Sequence, residues 1–323
     1  MRVLMITNKW PTATRPGEVP FLVQQFNDLG QAGVEMSRFT FNGQKNPLNY
    51  WQGWRQLRQQ LDLNQFDLLH AQFGQCGLLG LPVRRPLVVT FHGSDLQGDV
   101  GPDGRYTWPG RIMSQVSRFV AGRSTANIIV ANHLRKWLPN GVPATVIPCG
   151  INLELFRPQP QAAARSRLGL AGDKQLILFA ANPSRPVKRY ALAQAAVQLL
   201  QNDFPQLELL AVGDAPYQEM PTYLNACDIL LLTSRHEGSP TVIKEALACN
   251  KAIVSVNVGD VAEQIGQLPG CHLSDDSPAG IANALRQLLL TPPVMDTRPG
   301  IAHLSHTAIA QQIVAVYHKS LLA

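Results

Sequence analysis

Short apolar runs of five to seven residues recur along this chain, each followed by a stretch with helical spacing: RVLMIT, FDLLHA, PLVVTF, NIIVA and ATVIP, then LILFAA, LELLAVG, DILLLTS and AIVSVN. Runs of that length, rich in leucine and β-branched residues, have the composition of strands buried on both faces. Strands alternating with helices build parallel sheets covered on either side. The fold class is therefore α/β. A length of 323 residues exceeds one ordinary core and fits two domains of roughly 150 residues each. Between the two series lies IPCGINLELFRPQPQAAARSRLGLAGDK, where Pro148, Gly150, Pro158 and Pro160 interrupt any strand. A linker is expected at about residues 149 to 170, between an amino-terminal domain over 1–155 and a carboxy-terminal domain over 156–305. Two doubly wound domains on one linker are expected to face each other across a cleft.

In open sheets of this kind ligands bind beyond the carboxyl ends of the strands, so the loops after the runs carry the chemistry. After RVLMIT, Gly17 and Glu18 are expected to open an amphipathic helix with Phe21, Leu22, Phe26 and Leu29 on its apolar side. A glycine there admits backbone amides to a phosphate, and a helix amino end favours an anion; a plain turn explains the same residues. After DILLLTS the chain reads Arg235, His236, Glu237, Gly238, Ser239, Pro240, Thr241. Ser239 suits an N-cap and Pro240 a first helical position, and Val242, Ile243, Ala246 and Leu247 then share one side of a helix. Its free amides would point into the crevice. Glu237 precedes that terminus and Glu245 lies within the helix, with carboxylates on the order of 10 Å apart. That exceeds the roughly 5 to 5.5 Å of a retaining glycosidase pair. The two acids could grip hydroxyls at opposite ends of an extended ligand whose anionic middle sits over the helix end, as in a sugar joined through a diphosphate to a nucleoside. Alternatively they are a loop acid and a solvated helix acid, pairing with Arg235 or Lys244.

Composition narrows the partners. Lysine and arginine number 28 against 22 acids, a net charge of +6 that attracts anions. The basic residues are scattered and form no recognisable nucleic-acid module, so no nucleic-acid partner is expected. Cys76, Cys149, Cys227, Cys249 and Cys271 lie far apart, at neither metal nor redox-motif spacing, and their odd count speaks against a disulfide framework. Reduced thiols in a cytoplasmic protein are expected. MRVLMITNKWP is too short an apolar run for a signal peptide, and no run approaches the ~18 apolar residues of a membrane span.

The stretch YLNACDILLLTSRHEGSPTVIKEALACNKAIVSVNVGDVAE resembles the signature of the retaining glycosyltransferases of family 4, which have the GT-B fold and carry Glu, seven residues, Glu in this setting. TFHGSDL, VIPCGINLELFRP, ILFAANPSRPVKRY and LLAVGD extend the likeness over most of the chain. The resemblance implies two Rossmann-like domains, with the last helix (306–323; Ile309, Ile313, Val316 and Tyr317 on one face) crossing back to the first. It implies that Glu237 holds the donor sugar hydroxyls and Glu245 the ribose. The amides of Gly238, Ser239, Thr241 and Val242 would hold sugar and diphosphate, and Arg185 and Lys188 the diphosphate. A leaving group that gains negative charge calls for such fixed cations. Many members have Gly-Arg five residues before this lysine, where Asn182 and Pro183 stand here. His92, after PLVVTF, would lie near the donor sugar, with Asp95 orienting it or capping the next segment. Transfer would proceed with retention and without a metal, since the sequence has no Asp-x-Asp. No separate cofactor is implied; the donor is a UDP- or GDP-sugar.

Acceptor choice belongs to the amino-terminal half: a glycan, a lipid-linked or a small-molecule hydroxyl. NYWQGWRQLRQQL puts Trp51, Trp54 and Leu61 near one helical face with Arg55 and Arg58 elsewhere, and residues 101–123 hold four arginines against one aspartate. Peripheral contact with the inner face of a membrane is one reading of both. Core packing with snorkelling arginines is the other. A nucleotide-sugar epimerase and a non-catalytic sugar-nucleotide-binding protein are the rival functions.

Overall fold

A computed structural model describes residues 1–12, 17–43, 46–82, 85–101 and 103–322. The chain forms two compact units: Met1–Gly150 with His306–Ala323, and Ile151–Ser305.

The first unit runs β1 (Arg2–Thr7), α1 (Pro20–Gln31), β2 (Glu35–Thr40), α2 (Pro47–Gln60), β3 (Leu68–Gln72), β4 (Leu87–Phe91), α3 (Ser94–Gln97), α4 (Trp108–Ala121), β5 (Ala126–Ile129) and β6 (Thr145–Val146). All six strands are parallel, in the order β2-β1-β3-β4-β5-β6. From β1 the chain steps to the edge strand β2 and returns to β3 on the other side, so the direction of winding switches between β1 and β3. The central strands β3 and β4 are buried throughout; β4 is almost wholly apolar, while β3 keeps His70 and Gln72 inside by hydrogen-bonding both. Strand β2, EMSRFT, lacks such a run because it lies at the sheet edge, with only Phe39 fully buried.

The second unit holds α5 (Gln161–Leu168), β7 (Gln175–Phe179), α6 (Tyr190–Gln198), β8 (Leu207–Ala211), α7 (Met220–Ala226), β9 (Ile229–Leu232), α8 (Thr241–Ala248), β10 (Ala252–Val256), α9 (Val261–Ile265), β11 (Cys271–Ser274) and α10 (Pro278–Leu290). Its parallel sheet has the order β11-β10-β9-β7-β8, with the switch between β7 and β9. The expected linker contains α5. Once past Pro160, QAAARSRL has no breaker until Gly169, which ends the helix at φ 66°. Arg165 ties α5 to the sheet through the Ala226 carbonyl (2.9 Å) and Asp228 (3.0 Å).

After the second unit the chain re-enters the first as α11 (His306–Leu321). Ile309, Ala310, Ile313, Val316 and Tyr317 of α11 are buried in the first unit's core, against α1 and β4. The returning helix is thus part of that core. All five cysteines are free thiols, four of them buried.

Candidate active site

The loops after β7 and β9 leave the second sheet on either side of its switch point, the position where such sheets open a crevice. Lys188 ends the 3-10 turn Pro186–Lys188 in one loop, and Glu237 stands in the other; Lys188 Nζ donates to Glu237 Oε1 at 2.6 Å. Both side chains are about one-sixth exposed, 16% and 17%. Backbone contacts lock the two loops together. Thr233 Oγ1 donates to the Lys188 carbonyl (2.8 Å), the Arg235 amide donates to the Val187 carbonyl (2.9 Å), and Arg189 Nε donates to the Thr233 carbonyl (2.6 Å). Arg189 also pairs with Asp276 at 2.8 Å. A third loop, after β10, brings Gly259 at φ 62° under the turn, where a Cβ would stand 2.7 Å from the Gly238 carbonyl oxygen. Only glycine meets both conditions.

Helix α8 starts at Thr241, with Pro240 at the cap and no side-chain capping bond. The expectation of Ser239 as N-cap and Pro240 as first helical residue is corrected by one position. The reason is local: Ser239 Oγ accepts from Lys244 Nζ (2.9 Å) and does not turn back on the helix amides. The N–H groups of Gly238, Ser239, Thr241 and Val242 make no hydrogen bond among the described residues, leaving four donors for an anion at a helix amino end. Lys244 and Glu245 are both buried, so Glu245 is no solvated helix acid. Burial raises its carboxyl to a pKa of about 7, against the opposing pull of a Thr241 hydrogen bond and the Lys244 charge. Arg185 is exposed; its amide donates to the Asn182 carbonyl (3.1 Å) and its guanidinium meets no carboxylate among the described residues. Asn182 is packed tightly, since a Cβ on Gly213 would overlap its backbone.

In the first unit His92 follows β4. Asp95 Oδ1 accepts from the amides of His92 (3.0 Å) and Gly93 (2.9 Å) and its Oδ2 from that of Gly74 (2.8 Å), so Asp95 shapes the loop and does not touch the ring. The imidazole lies between the rings of Phe21 and Phe73, centroids 5.1 and 4.8 Å away. Burial, with smaller contributions from His70 and Lys9, lowers its pKa to about 3, so the ring is neutral. Gln72 Nε2 donates to Gln25 Oε1 (2.7 Å), which leaves Gln72 Oε1 to accept from His92 Nε2 (2.8 Å). The Gln72 amide in this orientation calls for the proton on Nε2, with Nδ1 3.9 Å from Cys149 Sγ. Behind Gln72, His70 bridges Thr90 Oγ1 (2.8 Å) and the Tyr317 hydroxyl (2.6 Å), extending the network to α11. Gly17 lies in a turn outside α1, which begins at Pro20 behind Val19 at φ 45°; the expected opening of the helix at Gly17 and Glu18 is corrected by three residues. Proline at the first position fixes that start.

The second unit thus gathers Lys188, Glu237, the four amides and Glu245 around one turn, with Arg185 exposed in the adjoining loop; His92 and Gly17 belong to the first. Residues 1–155 match the model of Glycosyltransferase Family 4 and residues 216–291 that of Glycosyl transferases group 1. The chain belongs to glycosyltransferase family 4. It is 23% identical to a Bacillus subtilis protein named as a teichuronic acid biosynthesis glycosyltransferase, over 88% of each chain. It is 25% identical to a D-inositol 3-phosphate glycosyltransferase of Segniliparus rotundus, over 79% of this chain but 66% of that one, so it spans just under two thirds of that relative. HepE of Anabaena, solved with UDP and glucose, shares the GT-B fold at a TM-score of 0.74 and 17% identity, over 99% of this chain and 100% of that one.

Sequence reasoning missed the parts of this glycosyltransferase that hold the site still. Arg189 and Thr233 join the loops, and Gly259 lets the third loop approach; of these only the glycine, within VNVGD, leaves a readable mark. The network from Tyr317 to His92 draws on β3, β4, α1 and α11 and has no local pattern at all.

Proposed function

We propose that the enzyme transfers a sugar from a nucleotide-diphosphate donor to an acceptor hydroxyl with retention of configuration and without a metal ion. The observation that carries this reading is the Lys188–Glu237 pair set beside the free amides of α8, with the buried carboxylate of Glu245 in the same helix. Cation and amides suit a diphosphate; the two carboxylates suit hydroxyls at its two ends. As the bond from the sugar's anomeric carbon to the diphosphate breaks, charge grows on the leaving oxygens, where Lys188, Arg185 and the amides of Gly238, Ser239, Thr241 and Val242 act. In this reading the fixed donors supply the charge stabilisation that a divalent ion would otherwise give. Glu237 is assigned to the donor sugar and Glu245 to the ribose. In the first unit His92 is assigned to the sugar as a neutral hydrogen-bonding ring, and Gly17 to a phosphate-facing turn. HepE complexes with UDP and with UDP-glucose favour a uridine donor over a guanosine one.

Titration with UDP- and GDP-sugars, read as protection from heat with and without EDTA, tests the proposal. One of them should raise the melting temperature equally in both buffers. Glu237→Ala and Lys188→Ala should keep the fold and lose transfer by about 10²-fold or more, the usual cost of removing a group that meets developing charge. Normal turnover in both variants would place the site elsewhere, and a divalent requirement would overturn metal independence. Proton NMR of the product reads the anomeric outcome.

A further inference from the structure

We propose that the face formed by α2 and α4 docks on an anionic lipid bilayer. The exposed large aromatics of the described residues are Trp51, Trp108 and Phe119, and all three lie on these two helices. Trp108 is 75% exposed, Leu48 66% and Trp51 55%, with Ile112 beside them. Between the helices runs a groove of about 320 Å³, lined among others by Tyr50, Leu78, Ile112, Met113 and Val116. A continuous apolar patch of this kind marks an interaction surface.

The rim decides what fits it. Neither α2 nor α4 contains an acidic residue, whereas Arg55, Arg111 and Arg118 lie on them and Arg105 and Arg123 at the ends of α4. None of these five is ion-paired among the described residues. Arg55 lies 5.1 Å over the Trp51 ring and Arg123 3.6 Å over that of Phe119, which sets cations at the level of the aromatic belt. Rings flanked by guanidinium groups match the boundary between acyl chains and anionic headgroups. A second copy of the chain is a poor occupant, because an isologous contact would set each cluster of arginines against its own image. Nucleic acid has no use for the apolar groove. Trp54 and Arg58, grouped with this surface on sequence grounds, turn inward: Trp54 Nε1 donates to the Leu81 carbonyl (2.9 Å), and Arg58 to the carbonyls of Leu79 and Leu81 (both 3.1 Å).

Every residue of this surface is in the first unit, so the proposal stands apart from the donor assignment. Flotation of the full chain with phosphatidylcholine vesicles, with and without phosphatidylglycerol, tests it. The protein should float with the anionic vesicles, less so as salt is raised. Replacing Arg111→Gln and Arg118→Gln together should lower partitioning about fivefold per arginine. Trp108→Ser with Ile112→Ser should lower it about tenfold or more. All four side chains reach solvent, and an unchanged calorimetric transition of the first unit shows that the variants are folded. Equal binding to neutral vesicles, variants that float like the wild type, or a wild-type dimer that the Trp108→Ser and Ile112→Ser pair dissociates would each overturn the proposal.

Discussion

Glu245 is buried on α8, and its carboxyl is raised from an ordinary 4.5 to about 7. The folded state therefore holds a proton between those values that the unfolded chain has given up, and stability falls as pH rises through 7. Wild type should lose on the order of 1–3 kcal/mol between pH 5 and pH 8 that Glu245→Gln does not lose, measured by urea denaturation at the two pH values. Parallel profiles would show that the acid is not buried in its charged form. If ribose hydroxyls donate to the ionised carboxylate, donor affinity should also climb between pH 6 and pH 8, and the climb should vanish in Glu245→Gln. The spacing of Glu237 and Glu245 was legible in the sequence because a strand end followed by Ser-Pro-Thr fixes where a helix can start. The burial of Lys244 and Glu245 was not, since two adjacent charges read as a solvated pair until the rest of the unit closes over them.

At the scale of elements, the three loops after β7, β9 and β10 behave as one part. Arg189 and Thr233 join the first two, and Gly259 lets the third come within reach of the Glu237–Gly238 backbone. Gly259→Ala adds a Cβ at φ 62°, 2.7 Å from a carbonyl oxygen, and should cost about 1–3 kcal/mol while weakening donor binding, because relief requires the carboxylate turn to move. Gly172→Ala, where a Cβ would meet nothing within 4 Å, is the control and should melt like the wild type. A Gly259→Ala protein with unchanged stability and donor affinity would show that the loops are not coupled. Which elements a reader of the sequence finds depends on where they sit. The leucine- and valine-rich runs of β4 and β9 announce strands covered on both faces, whereas β2 and β11 lie at the two sheet edges and carry Glu35, Arg38 and His272 in place of an apolar run. Likewise α5 hides behind Pro158 and Pro160, which mark a break in the chain without saying how soon it ends.

For the whole molecule, the consequential feature is that the two cores are built from unequal pieces of chain. The second core is drawn from one uninterrupted segment, Ile151 to Leu304, while the first takes Ile309, Ala310, Ile313, Val316 and Tyr317 from the far end of the sequence. A chain ending at Ser305 therefore removes a whole helix face from the first unit and nothing from the second. Losing a buried large side chain costs about 2–5 kcal/mol, and the removal of Ile309, Ile313 and Tyr317 alone approaches the entire 5–15 kcal/mol stability of a domain. Tyr317 also takes with it the hydroxyl that holds His70, leaving a buried imidazole without one of its partners. In calorimetry the truncated protein should lose the transition of the first unit and keep that of the second. Because Lys188, Glu237, Glu245 and the amides of α8 all lie within Ile151–Ser305, UDP or GDP should still raise the surviving transition, although transfer is gone. Loss of both transitions would mean that the second unit needs the first in order to fold, and a surviving unit indifferent to nucleotide would separate the amide-rich turn from donor binding.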